Sequence, residues 1–204
     1  MRTKTFIYCD SSELNLKNSK EKIDQIRNSN TYPNMPENCF GLKIDNEKWP
    51  FQSNSIDCII NNLNLHNVNN TENLFREYNN SLVPDGLFTA NSYGPDSFYE
   101  LRTCLSLGEL EREGGVSPNV INFQHLPEIG NLLSKTGFNL PTLNTMKYQC
   151  EFRNMFQIFD FLKVIGETNF LSSRRKCKNR QSYIAAAAIY QELFNLKVFS
   201  KLLY

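Results

Sequence analysis

Residues 42–69, LKIDNEKWPFQSNSIDCIINNLNLHNVN, are the stretch that decides the fold of this chain. A short apolar run ends in Asp45, a proline-containing loop follows, and Asp57 leads into a second apolar run that ends at Asn61. A near-continuous apolar run of this length is typical of a strand buried in a parallel sheet. The stretch therefore predicts two strands joined by a loop, with a polar turn after the second.

The flanking sequence alternates between strand and helix patterns in the same way. The predicted strands are 5–9, 39–44, 55–61, 87–93 and 140–150, and the predicted helices are 17–27, 71–81, 97–113, 126–136, 152–165 and 180–194. Pro84, Asp85 and Gly86 predict a turn before the fourth strand. Strands that alternate with helices indicate an α/β sheet. Because no linker divides the chain, residues 1–204 are expected to form a single domain.

The helix predicted over 97–113 carries the clearest local signals. Its apolar residues at helical spacing are Phe98, Leu101 and Leu105. Ser97 and Glu100 form an S-x-x-E pattern, which predicts a capping box, and Gly114 stands where the helix should end. The acidic residues near that end are Glu109, Glu111 and Glu113. They are expected either to meet a cationic substrate or to form a solvated helix end.

Composition excludes several classes of protein. The formal net charge of +1 and the absence of a long basic block argue against a nucleic-acid binder. Six cysteines without a C-x-x-C pair argue against a zinc site, and Cys9 and Cys58 are predicted to be small core residues. No apolar run approaches the roughly 20 residues of a transmembrane helix. The basic cluster at 174–180 predicts a solvated loop or a patch for an anionic partner.

Two early strands end in an acid, at Asp10 and Asp45. In doubly wound sheets, ligands bind at the carboxyl ends of the strands, where a carboxylate can accept hydrogen bonds from a ribose diol. Aspartate is also a common turn residue after a strand. The residues alone leave both interpretations open.

Residues 42–69 resemble the motif order of small-molecule methyltransferases. Four later blocks resemble the mitochondrial complex I assembly factor 5 family: FYELRTCLSLGELEREGGVSP (98–118), LPEIGNLLSKTGF (126–138), MFQIFDFLKVIGETN (155–169) and YIAAAAIYQELF (183–194). The resemblance covers roughly residues 4–194. It implies an α/β class I methyltransferase-like (Rossmann-like) sheet.

This resemblance implies S-adenosylmethionine (SAM) as the cofactor. Asp10 would hold the ribose, Asp45 would face the adenine amino group, and the backbone amide of Asn46 would cap the adenine ring. Asn61 would lie under the methionine part. The resemblance implies no metal ligand and no assigned catalytic residue.

The function implied is assembly of mitochondrial respiratory complex I, by hydroxylation of an arginine on a complex I subunit. The partner would be that protein subunit and not a nucleic acid. The location would be the matrix side of the inner membrane, with peripheral membrane association. Two alternatives stay open at this point: an inactive fragment or interaction protein, and a generic SAM-dependent methyltransferase.

The chain also departs from the family pattern. No glycine-rich D-x-G-x-G turn occurs, and the sequence predicts a sheet without the family's first and last strands. The strands at 5–9 and 55–61 would then flank an empty position in the sheet. Of the two histidines, His66 is expected either to line the mouth of the site or to pack as a loop residue. Neither His66 nor His125 begins an H-x-D or H-x-E pair of an iron site.

Overall fold

The computed structural model describes residues 3–29, 32, 34–117, 125–167 and 179–194, and the backbone of 202–203. The strands are β1 (Thr5–Asp10), β2 (Asn38–Lys43), β3 (Ile56–Asn62), β4 (Leu82–Asn91), β5 (Lys147–Tyr148) and β6 (Leu202–Leu203). The helices are α1 (Glu13–Ser29), α2 (Thr71–Ser81), α3 (Tyr99–Glu113), α4 (Leu126–Lys135), α5 (Met155–Val164) and α6 (Arg180–Leu193), and a 3₁₀ turn covers Leu65–Asn67. The predicted α/β alternation is confirmed.

The described strands form three pairs. β1 and β2 are parallel, with Asp10 opposite Lys43. β3 pairs with β4: the Ser55 N–H donates to the Ser81 carbonyl at one end, and the Leu63 N–H donates to the Asn91 carbonyl at the other. Residue numbers therefore increase in the same direction along β3 and β4, so the two strands are parallel. β5 and β6 are antiparallel.

The chain divides into two compact units, one made of residues 1–59 and 68–88 and the other of residues 60–67 and 89–204. In the first unit, α2 begins where the Asn70 side chain accepts a hydrogen bond from the Asn73 N–H. Its apolar face buries Phe75 and Tyr78, and Tyr78 packs edge-on against Trp49. A single domain over residues 1–204 stays a prediction.

The core of the second unit lies between α3 and α6. Phe98, Leu101 and Leu105 are buried there, as their spacing predicts. Gly108 permits the close approach of the two helices: a Cβ at this position would lie 2.6 Å from the Ser182 carbonyl oxygen. Ala186, in the alanine run of α6, is fully buried against this core.

Several predicted elements are corrected. β4 begins at Leu82 and runs through the predicted turn, because Asp85 takes a left-handed conformation (φ 63°) and bends the chain without ending the strand. The strand predicted over 140–150 is limited to two residues, because only these pair with another strand. β3 is buried on one face only. Cys58 and Ile60 lie on its exposed face, so the prediction of Cys58 as a core residue is wrong.

The start of α3 also differs from the prediction. Phe98 occupies the N-cap position with a left-handed backbone (φ 53°), and no side chain caps the helix there. Ser97 and Glu100 are buried instead, so the predicted capping box is wrong. The predicted end is confirmed: Gly114 has a φ of 67° and its N–H donates to the Leu110 carbonyl.

Candidate functional site

In the first unit, the parallel pairing of β1 and β2 places two strand-end acids at the same end of the strand pair. Asp10 is the last residue of β1, and Asp45 follows β2 by two residues. The Ile44 N–H donates to the Asp10 carbonyl at 3.1 Å and continues the pairing up to Asp45. This is the edge at which doubly wound sheets bind ligands.

Local hydrogen bonds orient both carboxylates. Asp10 Oδ1 accepts from the Ser12 N–H at 2.7 Å, and Asp10 Oδ2 accepts from Asn15 Nδ2 at 3.2 Å. Asp45 Oδ1 accepts from the Glu47 N–H at 3.1 Å. Both acids are therefore turn residues. Since a carboxylate has about four acceptor positions, each one retains capacity for further donors.

The other two predicted cofactor residues lie nearby in sequence. Asn46 follows Asp45 and is half-buried in the first unit. Asn61 lies one residue before the end of β3 and is buried in the second unit. The four cofactor roles assigned by resemblance stay predictions.

The second unit contains a buried histidine–carboxylate pair. His66 lies in the 3₁₀ turn after β3, and its Nε2 is 2.8 Å from Glu167 Oε2. The His66 side chain is 3% exposed, and its ring packs edge-on against Tyr93 at 4.9 Å. The sequence leaves two possibilities for His66, lining the mouth of the site or packing as a loop residue. The structure shows a packed side chain with a carboxylate partner. No sequence signal pointed to Glu167, because 101 positions separate it from His66.

A second buried polar group lies between α3 and α6. Glu100 is 2% exposed and Tyr190 is 3% exposed, and Cys104 is fully buried beside them. Burial raises the pKa of the Cys104 thiol to about 11, and the charge of Glu100 contributes. Burial also raises the pKa of Tyr190, with the charges of Glu100 and Cys104 as further causes. The charge of Glu100 thus acts in the same direction on the pKa of both other side chains.

The acids at the end of α3 have local partners. Glu109 is buried and accepts hydrogen bonds from the Ser117 N–H at 2.6 Å and the Ser117 hydroxyl at 2.7 Å. Glu113 accepts from the Ser182 hydroxyl at 2.5 Å, and Glu111 is exposed. Glu109 therefore holds the glycine-containing segment back against the helix, and the expectation of a wholly solvated helix end is wrong for it.

The described residues contain neither a group suited to a metal ion nor a membrane-spanning helix. Within the described ranges, no three His, Cys, Asp or Glu side chains are grouped so that they could hold a metal ion. No described helix is long and apolar enough to cross a membrane. The predicted basic cluster lies outside the described residues except for Arg180, the first residue of α6.

Known proteins that resemble this chain include a methyltransferase family and a solved bacterial structure. The model of a methyltransferase domain matches residues 2–90. The solved structure of YcgJ from Bacillus subtilis superposes with a TM-score of 0.55 at 16% identity, over 97% of this chain and 77% of that one. The predicted class I methyltransferase type of fold is confirmed.

Two curated relatives are mitochondrial arginine-hydroxylases named NDUFAF5. The Homo sapiens protein is 34% identical over 190 residues, which are 93% of this chain and 51% of that protein. The Dictyostelium discoideum protein is 41% identical over 143 residues, which are 70% of this chain and 33% of that protein. This chain is similar in sequence to these NDUFAF5 proteins. It spans about half the length of the human NDUFAF5 protein.

Proposed function

We propose that this chain acts in the assembly of mitochondrial complex I, as a SAM-binding protein of the NDUFAF5 type that hydroxylates an arginine of a complex I subunit. The observation that carries the proposal is the homology over 93% of the chain to human NDUFAF5, a mitochondrial arginine-hydroxylase by name. That match extends well beyond the methyltransferase-domain match at residues 2–90. It therefore includes blocks that a shared cofactor site alone does not explain.

The cofactor part of the proposal rests on the strand ends of the first unit. Asp10 would hold the ribose hydroxyls, Asp45 the adenine amino group, and the Asn46 N–H the adenine ring. The exposed carboxylate of Asp45 and the partly exposed one of Asp10 fit these roles, because both stand at the ligand-binding edge of parallel strands. Asn61 would contact the methionine part. When bound, SAM supplies an electrophilic methyl group on a sulfonium.

Hydroxylation replaces a hydrogen of the arginine side chain by a hydroxyl group and is a two-electron oxidation of the substrate. With dioxygen as the oxidant, one oxygen atom enters the arginine. The other leaves as water after taking two electrons from a reductant and two protons. The protein's own contribution in this proposal is to bind and orient the arginine.

The proposed location is the matrix side of the mitochondrial inner membrane, with peripheral attachment. The proposed substrate is a folded or assembling protein subunit, so the partner is a protein and not a nucleic acid.

A second candidate is methyl transfer to an acceptor other than complex I. It is favoured by the methyltransferase-domain match and by a malonyl-[acyl-carrier protein] O-methyltransferase of Xylella fastidiosa, 28% identical over 74% of this chain and 50% of that protein. The mass of the product separates the two candidates, because hydroxylation adds one oxygen atom and methyl transfer adds a CH₂ unit.

The test is rescue of human cells that lack NDUFAF5. The chain is expressed with a matrix-targeting presequence, complex I is followed on native gels, and arginine peptides of its subunits are weighed by mass spectrometry. The proposal predicts restored assembly and an arginine that gains one oxygen atom. An Asp45→Asn variant serves as the site control and should restore less. Failure of the wild-type chain to restore assembly, or a gain of CH₂, would contradict the proposal.

A further inference from the structure

The chain turns sharply after β2, and hydrogen bonds fix the shape of this turn. The Lys48 N–H donates to the Asp45 carbonyl at 2.9 Å and closes a β-turn over residues 45–48. The Glu47 N–H donates to Asp45 Oδ1 at 3.1 Å, which orients the Asp45 carboxylate within the turn. The turn therefore holds Asp45 and Asn46, the two residues proposed to meet the adenine, in one fixed arrangement.

The Glu47 side chain ties this turn to the start of α2. Its Oε1 accepts hydrogen bonds from the Asn69 N–H at 2.7 Å and from Asn69 Nδ2 at 2.8 Å. Asn69 directly precedes Asn70, whose side chain caps the helix, and all of these residues lie in the first unit. Hydrogen bonds to a carboxylate are stronger than those between neutral groups. Glu47 thus contacts Asp45 through its backbone and α2 through its side chain.

Trp49 gives the loop after the turn an attachment of its own to α2. Its N–H donates to Glu77 Oε2 at 3.2 Å, and its indole Nε1 donates to Ser81 Oγ at 2.9 Å. The indole ring also packs edge-on against Tyr78. Because these contacts do not involve Glu47, loss of the Glu47 side chain should loosen the turn and leave the loop attached.

We infer that Glu47 is a positioning residue that sets the selectivity of the adenine site. The inference rests on the proposed function, because it takes Asp45 and Asn46 as the residues that meet the adenine. Adenine presents an amino donor beside a ring-nitrogen acceptor, which complement the Asp45 carboxylate and the Asn46 N–H. Hypoxanthine presents a carbonyl oxygen and an N–H at the same two places, so both contacts are lost. Selectivity of this kind needs a turn that cannot adjust to the wrong base.

The test is titration calorimetry of the full chain with S-adenosylhomocysteine and S-inosylhomocysteine, which differ only in the base. The wild type should bind the adenine compound more tightly by about tenfold or more, the size of one charge-assisted hydrogen bond. In Glu47→Ala the two affinities should approach each other, because the loosened turn no longer rejects hypoxanthine. A folded Glu47→Ala variant that keeps the full selectivity would overturn the inference.

Glu47→Gln separates positioning from direct contact with the ligand. An amide oxygen can accept both hydrogen bonds from Asn69, so this variant should keep most of the selectivity. A loss as large as that in Glu47→Ala would mean that the charge of Glu47 acts on the ligand itself, which would refute the positioning role.

Two variants at the start of α2 complete the test. Asn69→Ala removes one of the two hydrogen bonds to Glu47 and should lower the selectivity in part, so it decides the question if Glu47→Ala does not fold. Unchanged selectivity in Asn69→Ala would then refute the inference. Glu72→Ala breaks the ion pair with Arg76 on the same helix and should leave the selectivity unchanged. A loss there equal to that in Asn69→Ala would contradict a specific role of Glu47.

Amide hydrogen exchange gives a readout that needs no ligand. Glu47→Ala should speed the exchange of the Lys48 N–H, which closes the turn, and leave the Trp49 N–H protected. A chain that binds neither compound would refute the cofactor part of the proposed function and the selectivity with it, while faster Lys48 exchange would still show that Glu47 holds the turn. Binding of S-adenosylhomocysteine with a selectivity indifferent to Glu47 would refute the inference alone.

Discussion

Cys104 carries the most direct pH prediction at the scale of single residues. Burial raises its pKa from 9.0 to about 11 in the folded chain. The folded state therefore holds this proton more tightly than the unfolded state does. The resulting stability is complete below pH 9 and is lost as the pH rises toward about 11. The raised pKa of Tyr190 acts in the same direction.

Replacing Cys104 by alanine should make the free energy of unfolding depend less on pH over this range. The measurement is urea denaturation of wild type and Cys104→Ala at several pH values between 9 and 11. Equal slopes for the two proteins would show that the thiol ionises as freely in the folded chain as in the unfolded one.

The His66–Glu167 pair should also contribute to stability. Because both side chains are largely buried, Glu167→Gln should lower the free energy of unfolding by about 1.5–3 kcal/mol, the range for a hydrogen bond to a charged group. Asp160→Asn is the control, since Asp160 pairs with Lys163 at 3.5 Å on the surface and should change stability by less than about 1 kcal/mol. A double-mutant cycle with His66→Asn measures the coupling, and additive effects would rule out a direct interaction.

At the scale of elements, the contact between α3 and α6 depends on Gly108. A methyl group there would lie 2.6 Å from the Ser182 carbonyl oxygen and 2.7 Å from the Ala186 nitrogen, so the helices would have to separate. Gly108→Ala should therefore lower the free energy of unfolding by about 1–3 kcal/mol in urea denaturation. Gly115→Ala is the control, because a Cβ at Gly115 meets nothing within 4 Å. Equal stability of both variants would contradict the close packing.

Elements were predictable where local signals agreed. The bounds of α2 match the prediction because its apolar spacing and its Asn70 cap both lie in the local sequence. The predicted start of α3 is wrong because Ser97 and Glu100 are buried and no side chain caps the helix. Strand 140–150 was predicted too long because a strand needs a pairing partner, which the local pattern does not encode.

The candidate sites, too, were predictable only where the local sequence marks them. Asp10 and Asp45 could be singled out from sequence because each directly follows a predicted strand, and the parallel pairing of β1 and β2 then brings them to one edge. The His66–Glu167 pair could not be found in this way. Its two members are brought together by tertiary packing across 101 positions of sequence.

At the scale of the whole molecule, the chain combines a methyltransferase type of fold with sequence similarity to the NDUFAF5 proteins. The parallel pairing of β1 and β2 places Asp10 and Asp45 at the same end of the strand pair.

Calorimetric titration of the 204-residue chain with SAM tests the central claim most directly. We predict saturable binding that weakens about tenfold or more in Asp10→Asn and in Asp45→Asn, since each loses charge-assisted hydrogen bonds. Asp24→Asn, an exposed change in α1, should bind as the wild type does. A folded wild-type chain that does not bind SAM, or equal binding by all three variants, would contradict the account.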